Sequence, residues 1–209
     1  MKRVLILAAL AAGLTATPAA ARIKDWKITP ASQESVLIMR AERQPFDYTL
    51  SFSREGRSGF GSRVFQLGVR SYDFAPYTAR TLGPGSYQLN SLSQQGAWSS
   101  CYANGSFAFT VEPGRVYYLD LVNTQALLVD LQQGAMSRGK AKLTRGALAV
   151  GWQPTVQPQV GTPTEAELGI VREFVRTSMP GTTAPVTALA VRPITFGATR
   201  GEKFMQVCG

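Results

Sequence analysis

The segment from Gln94 to Ser106 carries the side chains with most to offer a ligand: Trp98, Tyr102 and Asn104, interleaved with Ser99, Ser100 and Cys101. Flat rings stack on sugars and peptide backbones, and an amide then fixes orientation by hydrogen bonding. The cluster therefore reads as a binding loop at a sandwich edge. The competing reading is structural, with Trp98 and Tyr102 covering a disulfide and plugging one end of the core; on residue type alone it is the preferred one. A second candidate is the run Arg138, Lys140, Lys142 and Arg145. Like charges spaced this closely draw an anionic surface, although such a run is more often simply a solvated loop.

Histidine is absent from the sequence. Its absence removes Ser-His-Asp and Cys-His catalysis, zincin motifs and imidazole acid–base chemistry together. Carboxylate pairs, Ser-Lys dyads and redox thiols are left. Asp120 and Asp130 lie in apolar runs expected as strands, and would form the acid pair of a glycosidase if those strands converged. An acid in such a strand more often caps an arginine or faces solvent at an edge. Gly134-Ala135-Met136-Ser137-Arg138-Gly139-Lys140 approaches a P-loop, but Ala141 stands where Ser or Thr must hold magnesium. Ser137 and Lys140 have the Ser-x-x-Lys spacing of penicillin-binding enzymes, yet Gly139 argues against the helical turn that would join them, and no Lys-Thr-Gly occurs. No catalytic residue, metal site or cofactor is expected.

Residues 1–21 read as an export signal. Lys2 and Arg3 form the positive start, Val4 to Leu14 the apolar stretch, and Ala19-Ala20-Ala21 the small residues before cleavage. No cysteine stands at the cut, which argues against a lipid anchor there. The expected location is the bacterial periplasm, with the medium as the alternative. Removing Lys2 and Arg3 lowers the formal charge from +9 to +7. For an exported protein that excess favours lipopolysaccharide, phospholipid headgroups or cell-wall polymers over nucleic acid, if it does more than keep the chain in solution. In an oxidising compartment Cys101 and Cys208, the two cysteines, are expected to pair. Closing so long a loop stabilises a fold by roughly 4 to 5 kcal/mol in the chain-entropy account. Two buried or reactive thiols are the alternative.

The elements that must position these residues are mostly strands. Leu82-Gly83-Pro84-Gly85-Ser86-Tyr87-Gln88-Leu89 and Val111-Glu112-Pro113-Gly114-Arg115-Val116-Tyr117-Tyr118-Leu119 share one grammar: an apolar residue, a Pro-Gly corner, then a strand with an inward aromatic. Proline presets the second position of a type II turn and glycine supplies the positive φ of the third. Alternation with period two predicts strands at 48–53, 64–70, 86–90 and 106–111; 116–122, apolar on both faces apart from Asp120, reads as a central strand, and 36–40, 127–131 and 147–152 are further strand candidates. The run 153–163 reads as a Pro- and Gln-rich connector. A helix is expected over Glu165 to Ser178, opened by a Thr164/Glu167 capping box and striped by Ala166, Ile170, Val171, Phe174 and Val175. Strands at 186–196 and 203–207 follow.

The fold class is accordingly mainly β: an antiparallel β-sandwich over residues 22–152, with a C-terminal helix followed by a β-hairpin, an αββ tail over 164–209 packed on it. Residues 80–122 resemble the transthyretin-like or carboxypeptidase-regulatory domains of bacterial envelope proteins. The resemblance is carried by Leu82-x-Pro84-Gly85-x-Tyr87-x-Leu89 and by Phe107-x-Phe109-x-Val111-x-Pro113-Gly114-x-Val116-Tyr117-Tyr118-Leu119. It implies a non-catalytic sandwich used for adhesion, packing against a partner or ligand binding. The expected function is a periplasmic envelope binding or interaction module, meeting an envelope protein or an anionic envelope polymer. A carboxylate-dependent enzyme acting on cell-wall carbohydrate, or a structural subunit that pairs by an edge strand, are the alternatives.

Overall fold

The computed structural model describes residues 26–56, 63–72, 74–95, 98–137, 150–152 and 154–196. In chain order these form β1 (Ser35–Arg40), β2 (Tyr48–Arg54), β3 (Arg63–Val69), β4 (Tyr77–Leu82), β5 (Gly85–Gln94), β6 (Trp98–Cys101), β7 (Ser106–Val111), β8 (Val116–Leu119), α1 (Thr124–Ser137), β9 (Val150–Trp152), α2 (Glu165–Ser178), β10 (Val186–Ala188) and β11 (Val191–Ile194). One sheet has the order β10-β8-β1-β4; the other runs β11-β7-β5-β2-β3, with β6 on the far half of β5 and β9 on β6. Most pairs are antiparallel, as the alternation predicts. The pairs β1–β8, β8–β10 and β6–β9 are parallel, an arrangement that needs long crossovers and leaves no local trace in sequence.

The period-two residues build the core. Tyr48, Leu50 and Phe52 of β2, Phe65 and Leu67 of β3, and Tyr87 and Leu89 of β5 face Leu37, Met39 and Leu119 of the four-stranded sheet. Phe52 stacks on Phe65 at 4.6 Å and meets Phe109 edge-on. The opposite face of the four-stranded sheet, Val36, Ile38, Val116 and Tyr118, is covered by α2. Helix, small sheet and large sheet therefore stack as three layers.

Both Pro-Gly corners take the backbone their residues demand, with φ of +138° at Gly85 and +69° at Gly114. Each is tied back by the tyrosine that follows it. Tyr87 Oη donates to the Gly83 carbonyl at 2.6 Å, and Tyr117 Oη accepts the Glu112 N–H at 3.0 Å.

Four expectations need correction. Residues 127–131 are helical, inside α1, because Leu127, Leu128 and Leu131 are buried while Val129 is exposed. The 186–196 strand splits: β10 pairs with β8 and β11 with β7 of the other sheet, while Leu189 is buried in the core between them. The 153–163 connector is anchored, since Asn123 Oδ1 accepts the Gln159 N–H, Asn123 Nδ2 donates to Gln157 O, and Val160 bridges Val122. On α2 the Thr164/Glu167 capping box is formed, but the buried stripe is Leu168, Val171 and Val175. Ile170 is 61% exposed, and Ala166 is exposed with it. The expected signal at 1–21, the strand at 203–207 and Cys208 lie outside the described residues.

Candidate functional site

β3 and β4 are edge strands of opposite sheets, and the space between them opens as a cleft of about 550 Å³. All six residues of β4 line it, together with Val64, Phe65, Gly68 and Val69 of β3. Three arginines line it too, Arg54, Arg70 and Arg80, and among the described residues no acid does.

Each arginine is placed by a different element. Arg54, at the end of β2, donates to the Pro84 carbonyl at 2.8 Å and lies over the Tyr87 ring at 4.4 Å, so the first Pro-Gly corner positions it. Arg70, just past β3, pairs with Asp47 at 2.9 Å. Asp47 also accepts the Ser71 N–H at 2.8 Å and the Ser71 hydroxyl at 3.0 Å. The Ser71 backbone N–H, and after it Arg70, hold the Asp47 carboxyl below its ordinary range. Arg80 stands opposite Leu37 in the β1–β4 register. Since Leu37 is core, Arg80 occupies the inter-sheet face of β4, at the point where that space meets solvent. Next in the chain to the lining residues Arg70 and Ala75, Tyr72 and Phe74 are 72% and 78% exposed, with Arg43 stacked on Phe74 at 3.9 Å.

The residues singled out from sequence are distributed differently. Tyr102 is fully buried in the main core, Trp98 is half-buried against it, and Asn104 alone of the three is exposed. Tyr102 is thus part of the core, and Trp98 packs one side against it while keeping part of its surface exposed. Tyr102 Oη and the neighbouring buried Ser100 Oγ interact with one another at most, and neither finds another hydrogen-bond partner among the described residues. Burial, reinforced by the Asp130 carboxylate, pushes the Tyr102 phenol far above its usual range. Arg138, Lys140, Lys142 and Arg145 lie outside the described residues. Cys101 is buried on β6, and among the described residues there is no free cysteine.

Asp120 and Asp130 serve separate networks. Asp120 is buried just beyond β8 and accepts the Tyr118 phenol at 3.1 Å; a side chain at Gly161 would collide with it. Burial first, and then Asp120, push the Tyr118 phenol upward. Asp130 lies on α1, not on a strand, and fastens the connector by accepting the Thr155 N–H at 2.9 Å, the Thr155 hydroxyl and the Val156 N–H. Neither acid lines the cleft. The P-loop reading fails on the same element, because Gly134 is inside a helix where that motif needs a strand and a turn. Among the described residues no group of three or more His, Cys, Asp or Glu side chains could hold a metal ion.

Against known protein families, curated proteins and solved structures, the chain finds no match. The cleft must therefore be judged by its chemistry alone. Sequence reasoning missed it because β4, Tyr-Thr-Ala-Arg-Thr-Leu, puts Thr78 and Arg80 where alternation demands apolar residues. An arginine at an inward position is the one signal that marks it.

Proposed function

We propose that this chain is a non-catalytic binding module of the bacterial envelope, exported by its N-terminal signal and stapled by a Cys101–Cys208 disulfide, which recognises an anionic partner through the β3–β4 cleft. The observation that carries this reading is the lining: three guanidinium groups, Arg70 already paired with Asp47 but Arg54 and Arg80 in no ion pair among the described residues, and no carboxylate among the described lining residues. A concave site with one sign of charge concentrates counter-charged ligands and raises their rate of encounter. The formal excess of base over acid, 22 to 13, acts in the same direction over the whole molecule. The resemblance of residues 80–122 to envelope β-sandwiches agrees with a holding role. The exposed aromatic tip beside the cleft adds a surface for apolar contact.

The test measures retention of the full-length protein on lipopolysaccharide, on an acidic cell-wall polymer and on an extended acidic peptide, with uncharged dextran as control. Retention on at least one acidic member should weaken steeply with added salt. It should also fall by about tenfold or more in Arg80→Glu. Equal retention by dextran, or an Arg80→Glu variant that binds as the parent does, would refute the proposal.

A further inference from the structure

We infer, on the reading that this cleft binds an anionic partner, that its occupant is an extended acidic segment of another protein, added as a new strand on the free edge of β4. The ladder between β1 and β4 fixes which backbone groups of β4 face away from β1 and have no partner among the described residues. Ala41 N–H donates to Pro76 O at 2.9 Å, and the two residues are opposite one another in the same register that joins Arg40 to Tyr77. Bonded and non-bonded pairs alternate along an antiparallel ladder. Thr78, Arg80 and Leu82 therefore bond to β1, and the N–H and C=O groups of Tyr77, Ala79 and Thr81 turn outward into the cleft. Donor and acceptor recur there at every second residue, which is the pattern a β-strand completes and a polysaccharide does not.

The other edges are blunted. β10 and β9 are three residues each, β11 carries Pro193, and β3 is regular only from Phe65 to Val69, its ladder shifting register between Phe52 and Ser53. Short strands, prolines and irregular pairing all discourage edge-to-edge association. β4 is six residues long, has no proline, and pairs with β1 without a register shift. Its one guard is Arg80. An inward-pointing charge repels a passing apolar strand because the guanidinium would be buried without a counter-ion. A strand bearing glutamate or aspartate opposite Arg80 supplies that counter-ion, so the same residue excludes generic edges and selects acidic ones. Arg54, which is in no ion pair among the described residues, extends the requirement along the cleft. Six residues of β4 span about 20 Å, enough to register a segment of similar length.

The experiment uses full-length protein and short peptides blocked at both ends: one alternating glutamate with valine, one with glutamine in place of glutamate, and one N-methylated on the amides that would face β4. The glutamate peptide should bind, and should slow amide hydrogen exchange at Tyr77, Ala79 and Thr81, with Thr78 and Arg80 unaffected because they are already bonded. The glutamine and N-methylated peptides should each bind about tenfold or more weakly. Arg80→Gln should remove the preference for glutamate over glutamine. Equal affinity for the N-methylated peptide overturns the inference. Binding of an acidic polysaccharide with none of the glutamate peptide overturns it too, while leaving the anionic cleft in place. Failure of every acidic probe removes both.

Discussion

Replacing Gly114 by alanine separates two costs that the second Pro-Gly corner combines. The backbone there has φ +69°, and an added Cβ would fall on the Pro30 carbonyl group. The left-handed conformation costs an L-residue about 1–2 kcal/mol. Displacing packed backbone adds about 1–3 kcal/mol. Pro30 has little freedom to retreat, because the turn around it is closed by Ser32 N–H to Thr29 O and Thr29 N–H to Ser32 Oγ, both at 2.9 Å. Gly56 is the matched control: its φ is +74°, but no described residue lies within 4 Å of an added Cβ. Gly114→Ala should therefore lose about 2–5 kcal/mol and Gly56→Ala only about 1–2 kcal/mol. The assay is urea unfolding of both variants beside the parent. With a slope of about 2 kcal/mol/M, a 3 kcal/mol loss lowers the midpoint by about 1.5 M without changing the slope. Equal midpoints for the two variants would refute the argument, since they would show that the contact with Pro30 costs nothing.

Two further outcomes are expected. Tyr102→Phe removes a buried hydroxyl whose one polar neighbour is the Ser100 hydroxyl, so stability should change by no more than about 1 kcal/mol in chemical denaturation. A loss well beyond that would mean that the phenol has a stronger partner than Ser100. Asp47 is held below the ordinary carboxylate range by the Ser71 N–H and Arg70. A depressed acid stabilises the folded chain above its unfolded pKa of about 3.9 and loses that contribution as pH falls through the lower folded value. The fall in stability below about pH 4 should therefore be shallower in Asp47→Asn than in the parent, as read from denaturation midpoints across pH; parallel curves would contradict the assignment.

The sequence was most legible where one residue type admits one local geometry. Gly85 and Gly114 were readable because a Pro-Gly corner needs positive φ, and Thr164 with Glu167 because a capping box satisfies both orphan N–H groups reciprocally. Legibility failed where two periods fit the same residues. Leu127, Val129 and Leu131 alternate as a strand would, but Leu127, Leu128 and Leu131 also share a helix face, and exposed Val129 shows which period burial selected. It failed again where pairing is non-local: nothing within 186–196 announces that its halves serve different sheets. The aromatic loop was chemically attractive for the same reason that it is buried, since large rings fill an end of the core as well as they stack on a ligand. The cleft arises from two edges distant from their own sheet centres, and only tertiary structure brings Arg54, Arg70 and Arg80 to one rim.

The segment that crosses from β10 to β11 sets an order on assembly. It supplies the outermost strand of each sheet beside β8 and β7, so a growing chain that has not reached residue 194 holds two unfinished layers. Strand β1 meanwhile waits for β8, its parallel neighbour, through most of the intervening synthesis. Such distant partners make for slow, late consolidation. A polypeptide that closes both layers with one late segment couples the completion of each sheet to that of the other.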